Sequence, residues 1–119
     1  MHSQPEQLRD RTKAFALRVI RLFRSLPYKT DTQVLGKQLL RCGTSVAANY
    51  RAACRARSKA EFIARIGIVA EEADEAVLWL ELLIESGILK TEMTERLLTE
   101  ARELAAILTA SRQTAKRLA

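Results

Sequence analysis

A chain of 119 residues with 48% hydrophobic content suffices to bury one core, so residues 1–119 read as a single domain. Aromatic residues make up only 5%, there are four glycines and two prolines, and Ala, Leu, Glu and Arg dominate; this helical composition excludes a sheet-based fold. The formal charge of +6 and a pI near 9.8 favour polyanionic partners such as nucleic acid.

The spacing predicts a first helix from about Pro5, a good first-turn residue, to Leu26, with Leu8, Phe15, Val19, Leu22 and Leu26 as its seam and Ala16, Ile20 and Phe23 widening it. Arg11, Arg18 and Arg21 lie on another face, with Arg9, Lys13 and Arg24 beside them, and solvation accounts for such a stripe. Pro27 ends the helix by pushing Leu26 out of the α region.

Thr30-Asp31-Thr32-Gln33 matches a capping box, Thr30 capping and Gln33 reaching back, and predicts the start of a second helix. Leu35, Leu39, Cys42, Val46, Asn49 and Ala53 recur at four-three spacing, which places Cys42 and Asn49 on a buried seam where Asn49 would fix register or partner number, the alternative being contact with a ligand. Gly36, Gly43, Ser45, Ala48 and Ala52 leave this helix thin, so another backbone can come close. Cys42 and Cys54 are twelve positions apart on it, roughly 18 Å, too far for a disulfide; they read as free thiols of a reducing cytoplasm. Cys42 has no histidine to activate it, because His2 at the frayed N-terminus is the only one, so it reads as a small core residue.

Ser58-Lys59-Ala60-Glu61 is a second capping box, opening a third helix after a tight turn. Phe62, Ile66, Val69, Ala73, Ala76, Leu80 and Leu83 form its seam, and Gly87 stops it. A flanking row, Ile68, Glu72, Glu75, Trp79 and Leu82, exceeds what one core requires and reads as part of a subunit interface. A fourth helix is predicted from near Thr91, with Glu92 and Glu95 in its first turn, through Met93, Leu97, Ala101, Leu104, Leu108 and Ala115 to Leu118. Four long helices with short connections give an all-α, antiparallel up-down-up-down four-helix bundle, roughly 33 to 42 Å long.

That topology redistributes charge. Residues 1–70 hold fourteen basic and four acidic side chains, residues 71–103 three and ten, and residues 104–119 three and none. The start of the first helix, the junction of the second and third, and the end of the fourth share one pole. Arg9, Arg11, Lys13, Arg51, Arg55, Arg57, Lys59, Arg112, Lys116 and Arg117 are therefore expected there, as a basic pole suited to phosphate-backbone contact. The helix dipole explains cations at the C-terminal ends of the second and fourth helices but not Arg9, Arg11 and Lys13.

Gln38 to Gly87 resembles the small four-helix-bundle proteins encoded in intervening sequences of bacterial 23S rRNA genes, through Arg41, Ser45, Ala48-Asn49, Arg57-Ser58, Phe62 and Glu81-Leu82. The chain departs from them at Ala52-Ala53, where that family usually has Glu-Gly. The resemblance implies a ring-like homopentamer and a relation to the accessory protein of diversity-generating retroelements, thought to bind nucleic acid and a reverse transcriptase.

The residues support a non-enzymatic homo-oligomeric module with a basic surface for RNA or DNA, accessory to another protein partner, needing no cofactor or metal. Two alternatives compete with it. One is a metal-dependent all-α nucleotide pyrophosphatase, whose Glu-x-x-Glu and Glu-x-x-Asp pairs are mimicked by Glu72 with Glu75, Glu71 with Asp74, and Glu92 with Glu95. The other is a purely structural or protein-interaction module. No apolar run reaches the roughly 20 residues that span a bilayer, and the N-terminus lacks a signal peptide's apolar core; a cytoplasmic protein without membrane contact is expected.

Overall fold

A computed structural model describes Ser3 to Ala119; His2, read above as frayed, lies outside the described residues. Its four helices are α1 (Gln4–Ser25), α2 (Thr30–Cys54), α3 (Lys59–Glu85) and α4 (Glu92–Arg117). Each helix packs on its neighbours in sequence, α4 returns to α1, and the pairs α1–α3 and α2–α4 do not meet. This is the expected antiparallel up-down-up-down four-helix bundle. The contact between α1 and α4 is sparse, which flattens the molecule to 46 × 28 × 19 Å.

Local chemistry sets the helix ends. Ser3 Oγ accepts the Glu6 N–H at 3.3 Å to start α1, and Leu26, extended before Pro27, ends it. Ser58 Oγ caps α3 by accepting the Glu61 N–H at 3.0 Å, while Glu61 reaches back one residue further than a capping box requires, to the Arg57 N–H. At the other end of α3, Gly87 takes φ +84°, and the Leu89 N–H returns to the Leu83 carbonyl. Thr91 Oγ1 accepts the Thr94 N–H to open α4.

The box predicted at Thr30 is corrected. Thr30 is already helical, and Lys29 precedes it with no side-chain cap. Asp31 accepts the Thr32 N–H at 2.7 Å within the first turn, and Gln33 donates to the Pro27 carbonyl instead of reaching back to Thr30.

The core is built by Phe15 and Val19 of α1, Leu39 and Val46 of α2, Ile66, Val69, Leu80 and Leu83 of α3, and Leu104 and Leu108 of α4, each nearly or wholly inaccessible. Two seams run differently from expectation. On α2 the inward position after Val46 is Tyr50, not Asn49: a straight helix drifts about 20° per heptad, so a strict four-three count falls one residue short. Asn49 is half-buried and donates to the Ser45 carbonyl at 3.0 Å and to Ser45 Oγ at 2.8 Å, so its amide is satisfied within its own helix and fixes no register across the core. On α4, Met93 is 74% and Leu118 70% exposed, and Thr94 is the buried residue of the first turn.

Candidate nucleic-acid interface

The bundle's connectivity puts the first turn of α1, the α2–α3 junction and the last turns of α4 at one end. Lys59 Nζ donates to the Leu118 carbonyl at 3.0 Å, and a cleft of about 720 Å³ there is lined by Gln4, Lys59, Phe62, Ser111, Thr114 and Leu118 among others. Arg9 lies near enough to Tyr50 for its charge to oppose the burial and the Cys54 contact that raise the Tyr50 phenol. Arg112 lies across α3, where its Nε would stand 2.9 Å from a Cβ placed on Gly67.

The most concentrated positive charge lies at the α2–α3 junction. Ala48, Arg51, Ala52, Arg55, Arg57, Glu61 and Arg65 line a shallow groove of about 480 Å³. Its build follows from local sequence. Arg51 and Arg55 stand one turn apart, on either side of the end of α2, where cations oppose the negative end of the dipole. Ala48 and Ala52 keep the groove floor low, and the tight turn carries Arg57 over to the start of α3. The four guanidinium groups are exposed, and among the described residues none of them forms an ion pair. Glu61, the one carboxylate lining the groove, accepts the Arg57 backbone N–H at 3.0 Å.

Arg65 was not singled out from the sequence. Its signal was available: Glu61, Arg65, Ile68 and Glu72 follow four-three-four spacing on the side of α3 that meets α2.

Of the remaining basic residues expected at the pole, Arg9, Lys13, Lys59, Arg112, Lys116 and Arg117 are exposed. Arg11 is different. Its Nε and Nη2 donate to the two carboxylate oxygens of Glu100 at 2.8 and 2.6 Å, and Nη2 also reaches Glu103 at 2.8 Å. This clamp ties α1 to α4, holds the guanidinium firmly protonated, and withdraws Arg11 from the open cations. It also reports a stagger. From Glu103 to Arg117 is fourteen residues, roughly 21 Å of helix, so the last turns of α4 run well past the level of Arg11.

The flanking row on α3 divides. Ile68 and Leu82 are 41% and 39% exposed, whereas Glu72, Glu75 and Trp79 are half-buried against α2. Arg41 binds Glu72 at 3.0 Å and Glu75 at 3.4 Å, and its Nη2 donates to Cys42 Sγ at 3.2 Å. Ligand atoms of Cys42, Glu72 and Glu75 lie within 4.8 Å of one another, but the cation that these carboxylates face is Arg41. Burial pushes the Cys42 thiol up, against the opposing effect of the Arg41 charge. The hydrogen bond to Glu72, burial and the Glu72 charge raise the Glu75 carboxyl. Among the described residues Trp79 Nε1 is buried without a hydrogen-bond partner. Glu92 pairs with Arg96 one turn on, while Glu71 and Asp74 stay exposed on α3.

No described helix is long and apolar enough to cross a membrane. A comparison with curated proteins returns no match. Among solved structures, the chain is similar to a protein of unknown function from the S23 ribosomal protein family of Bacteroides thetaiotaomicron, with 35% identity and a TM-score of 0.81 over 88% of this chain and 97% of that one. The family model of the 23S rRNA-intervening sequence proteins matches residues 7–110. Sequence and fold agree, and the chain belongs to the 23S rRNA-intervening sequence protein family.

Proposed function

We propose that this protein is a non-enzymatic, homo-oligomeric helical module that contacts the phosphate backbone of RNA or DNA through its basic end, as an accessory or assembly factor for a protein partner. The observation that carries this reading is the groove of Arg51, Arg55, Arg57 and Arg65, four exposed guanidinium groups without ion-pair partners among the described residues. Neutralising those charges is left to something outside the chain, and planar guanidinium groups suit phosphate oxygens. Arg9, Lys59, Lys116 and Arg117 extend the same field without adding base-specific contacts, so binding is expected to be insensitive to sequence.

The carboxylates fit a binding role better than a catalytic one: Glu72 and Glu75 are held by Arg41, and Glu92 by Arg96. Homo-oligomerisation, with five subunits, follows from the family resemblance. The test is binding of single-stranded and duplex oligonucleotides of RNA and DNA at low salt. Reversing Arg51, Arg55 and Arg57 to Glu should abolish binding while the helical circular-dichroism spectrum is retained. Unchanged affinity in that variant would overturn the reading.

A further inference from the structure

Helix α3 carries two seams. The inner one, through Ile66, Val69, Ala73, Ala76, Leu80 and Leu83, is spent on the core. A second runs along the outside: Ile68, Glu71, Glu75, Leu78, Leu82 and Glu85 recur at spacings of three and four over roughly 26 Å. Its apolar members are 41%, 46% and 39% exposed. Apolar residues scattered singly on a surface need no explanation, but three on one line with carboxylates between them form a stripe of coiled-coil period.

Helix α1 carries a complementary line. Ala14, Leu17, Arg21 and Arg24 follow the same three-four spacing, all are exposed, and Leu17 is 43% accessible. Among the described residues neither Arg21 nor Arg24 forms an ion pair, and neither Glu71 nor Glu85 does. Because α1 and α3 do not meet within the bundle, the two stripes cannot satisfy each other in one chain.

We infer that the outer stripe of α3 is the docking seam for the outer stripe of α1 on a second copy of this chain. Leu17 packs between Leu78 and Leu82, one turn apart, and Arg21 and Arg24 then reach the free carboxylate at one end of the stripe, Glu71 where the two helices run antiparallel and Glu85 where they run parallel. Such a contact joins two different surfaces, so it is heterologous, and it propagates head to tail into a ring where the rotation closes. The inference rests on the homo-oligomer part of the proposed function and names the surfaces that form the oligomer.

Sedimentation velocity at micromolar concentration tests it on four samples: the unmodified protein, R21E/R24E, E71K/E85K, and an equimolar mixture of the two variants. The unmodified protein should be oligomeric, and each variant should lose at least tenfold in assembly affinity. The mixture should reassemble, because the reversed α1 of one variant meets the reversed α3 of the other. Leu78→Ala should weaken assembly without altering charge, which keeps the test open if a reversed variant folds poorly by circular dichroism. An oligomeric parent whose variants all stay assembled would overturn this pairing alone, as would a mixture that stays dissociated. A monomeric parent would overturn the homo-oligomer reading and the pairing with it. Intact assembly with lost oligonucleotide binding in R21E/R24E would assign the α1 stripe to nucleic acid and also overturn the pairing.

Discussion

Two glycines on helix faces meet opposite surroundings. At Gly43 of α2 an added Cβ would stand 2.8 to 3.0 Å from Cγ2, Cγ1 and Cβ of Val19, a fully buried, β-branched side chain with little freedom to turn away. Gly43→Ala therefore forces α1 and α2 apart and should lower stability by about 1–3 kcal/mol, despite alanine's better helix propensity. At Gly67 of α3 the nearest atom is Nε of Arg112, on an exposed and flexible side chain that can swing into solvent. Gly67→Ala should then leave stability unchanged or raise it by up to about 1 kcal/mol. Urea denaturation of both variants checks the pair; equal effects would mean that close approach of backbones does not govern either site.

At the scale of elements, the α2–α3 seam holds one electrostatic conflict. Glu75 is raised by its hydrogen bond to Glu72, by burial and by the Glu72 charge, more than Arg41 lowers it. A carboxyl raised in the folded state contributes stability that is fully present below its unfolded pKa and is lost as pH rises through the folded value. At neutral pH the ionised Glu75 is therefore a net cost. Glu75→Gln should melt at a higher temperature than the parent at pH 7, with the difference closing as pH falls through the raised carboxylate range. A variant that melts lower at pH 7 would show that the Arg41–Glu75 pair outweighs the Glu72 repulsion.

The elements themselves were legible because each has a local cause: Pro27 stops α1, Ser58 starts α3, and Gly87 ends it. What escaped was register. Tyr50 replaced Asn49 on the core face because a heptad count does not follow a 3.6-residue helix through several turns. The candidate site was legible in the same measure. Arg51, Arg55 and Arg57 lie close together in the sequence, and the groove gathers them. Arg65 joins them, and Arg11 leaves the open cations, through contacts between helices: a long guanidinium side chain can go to solvent or to a carboxylate one helix away, and only packing decides.

For the whole molecule, charge is segregated rather than balanced. Residues 1–70 carry a net +10, and residues 71–103 a net −7. The arginine groove gathers part of this excess at the basic end, whereas the acids on α3 and α4 include Glu72, Glu75, Glu81, Glu100 and Glu103, all already paired with arginines of the same chain. The asymmetry predicts that the bound polyanion tracks the basic end and avoids the outer face of α3.

The most direct test is the salt dependence of oligonucleotide affinity, with the mass of the bound species measured alongside. The account predicts a linear fall of log K with log salt, and replacing Arg51, Arg55, Arg57 and Arg65 with Gln should reduce the slope by roughly 3 to 4 units on a duplex. A slope unchanged by removal of all four arginines, or no binding by the parent at low salt, would contradict it.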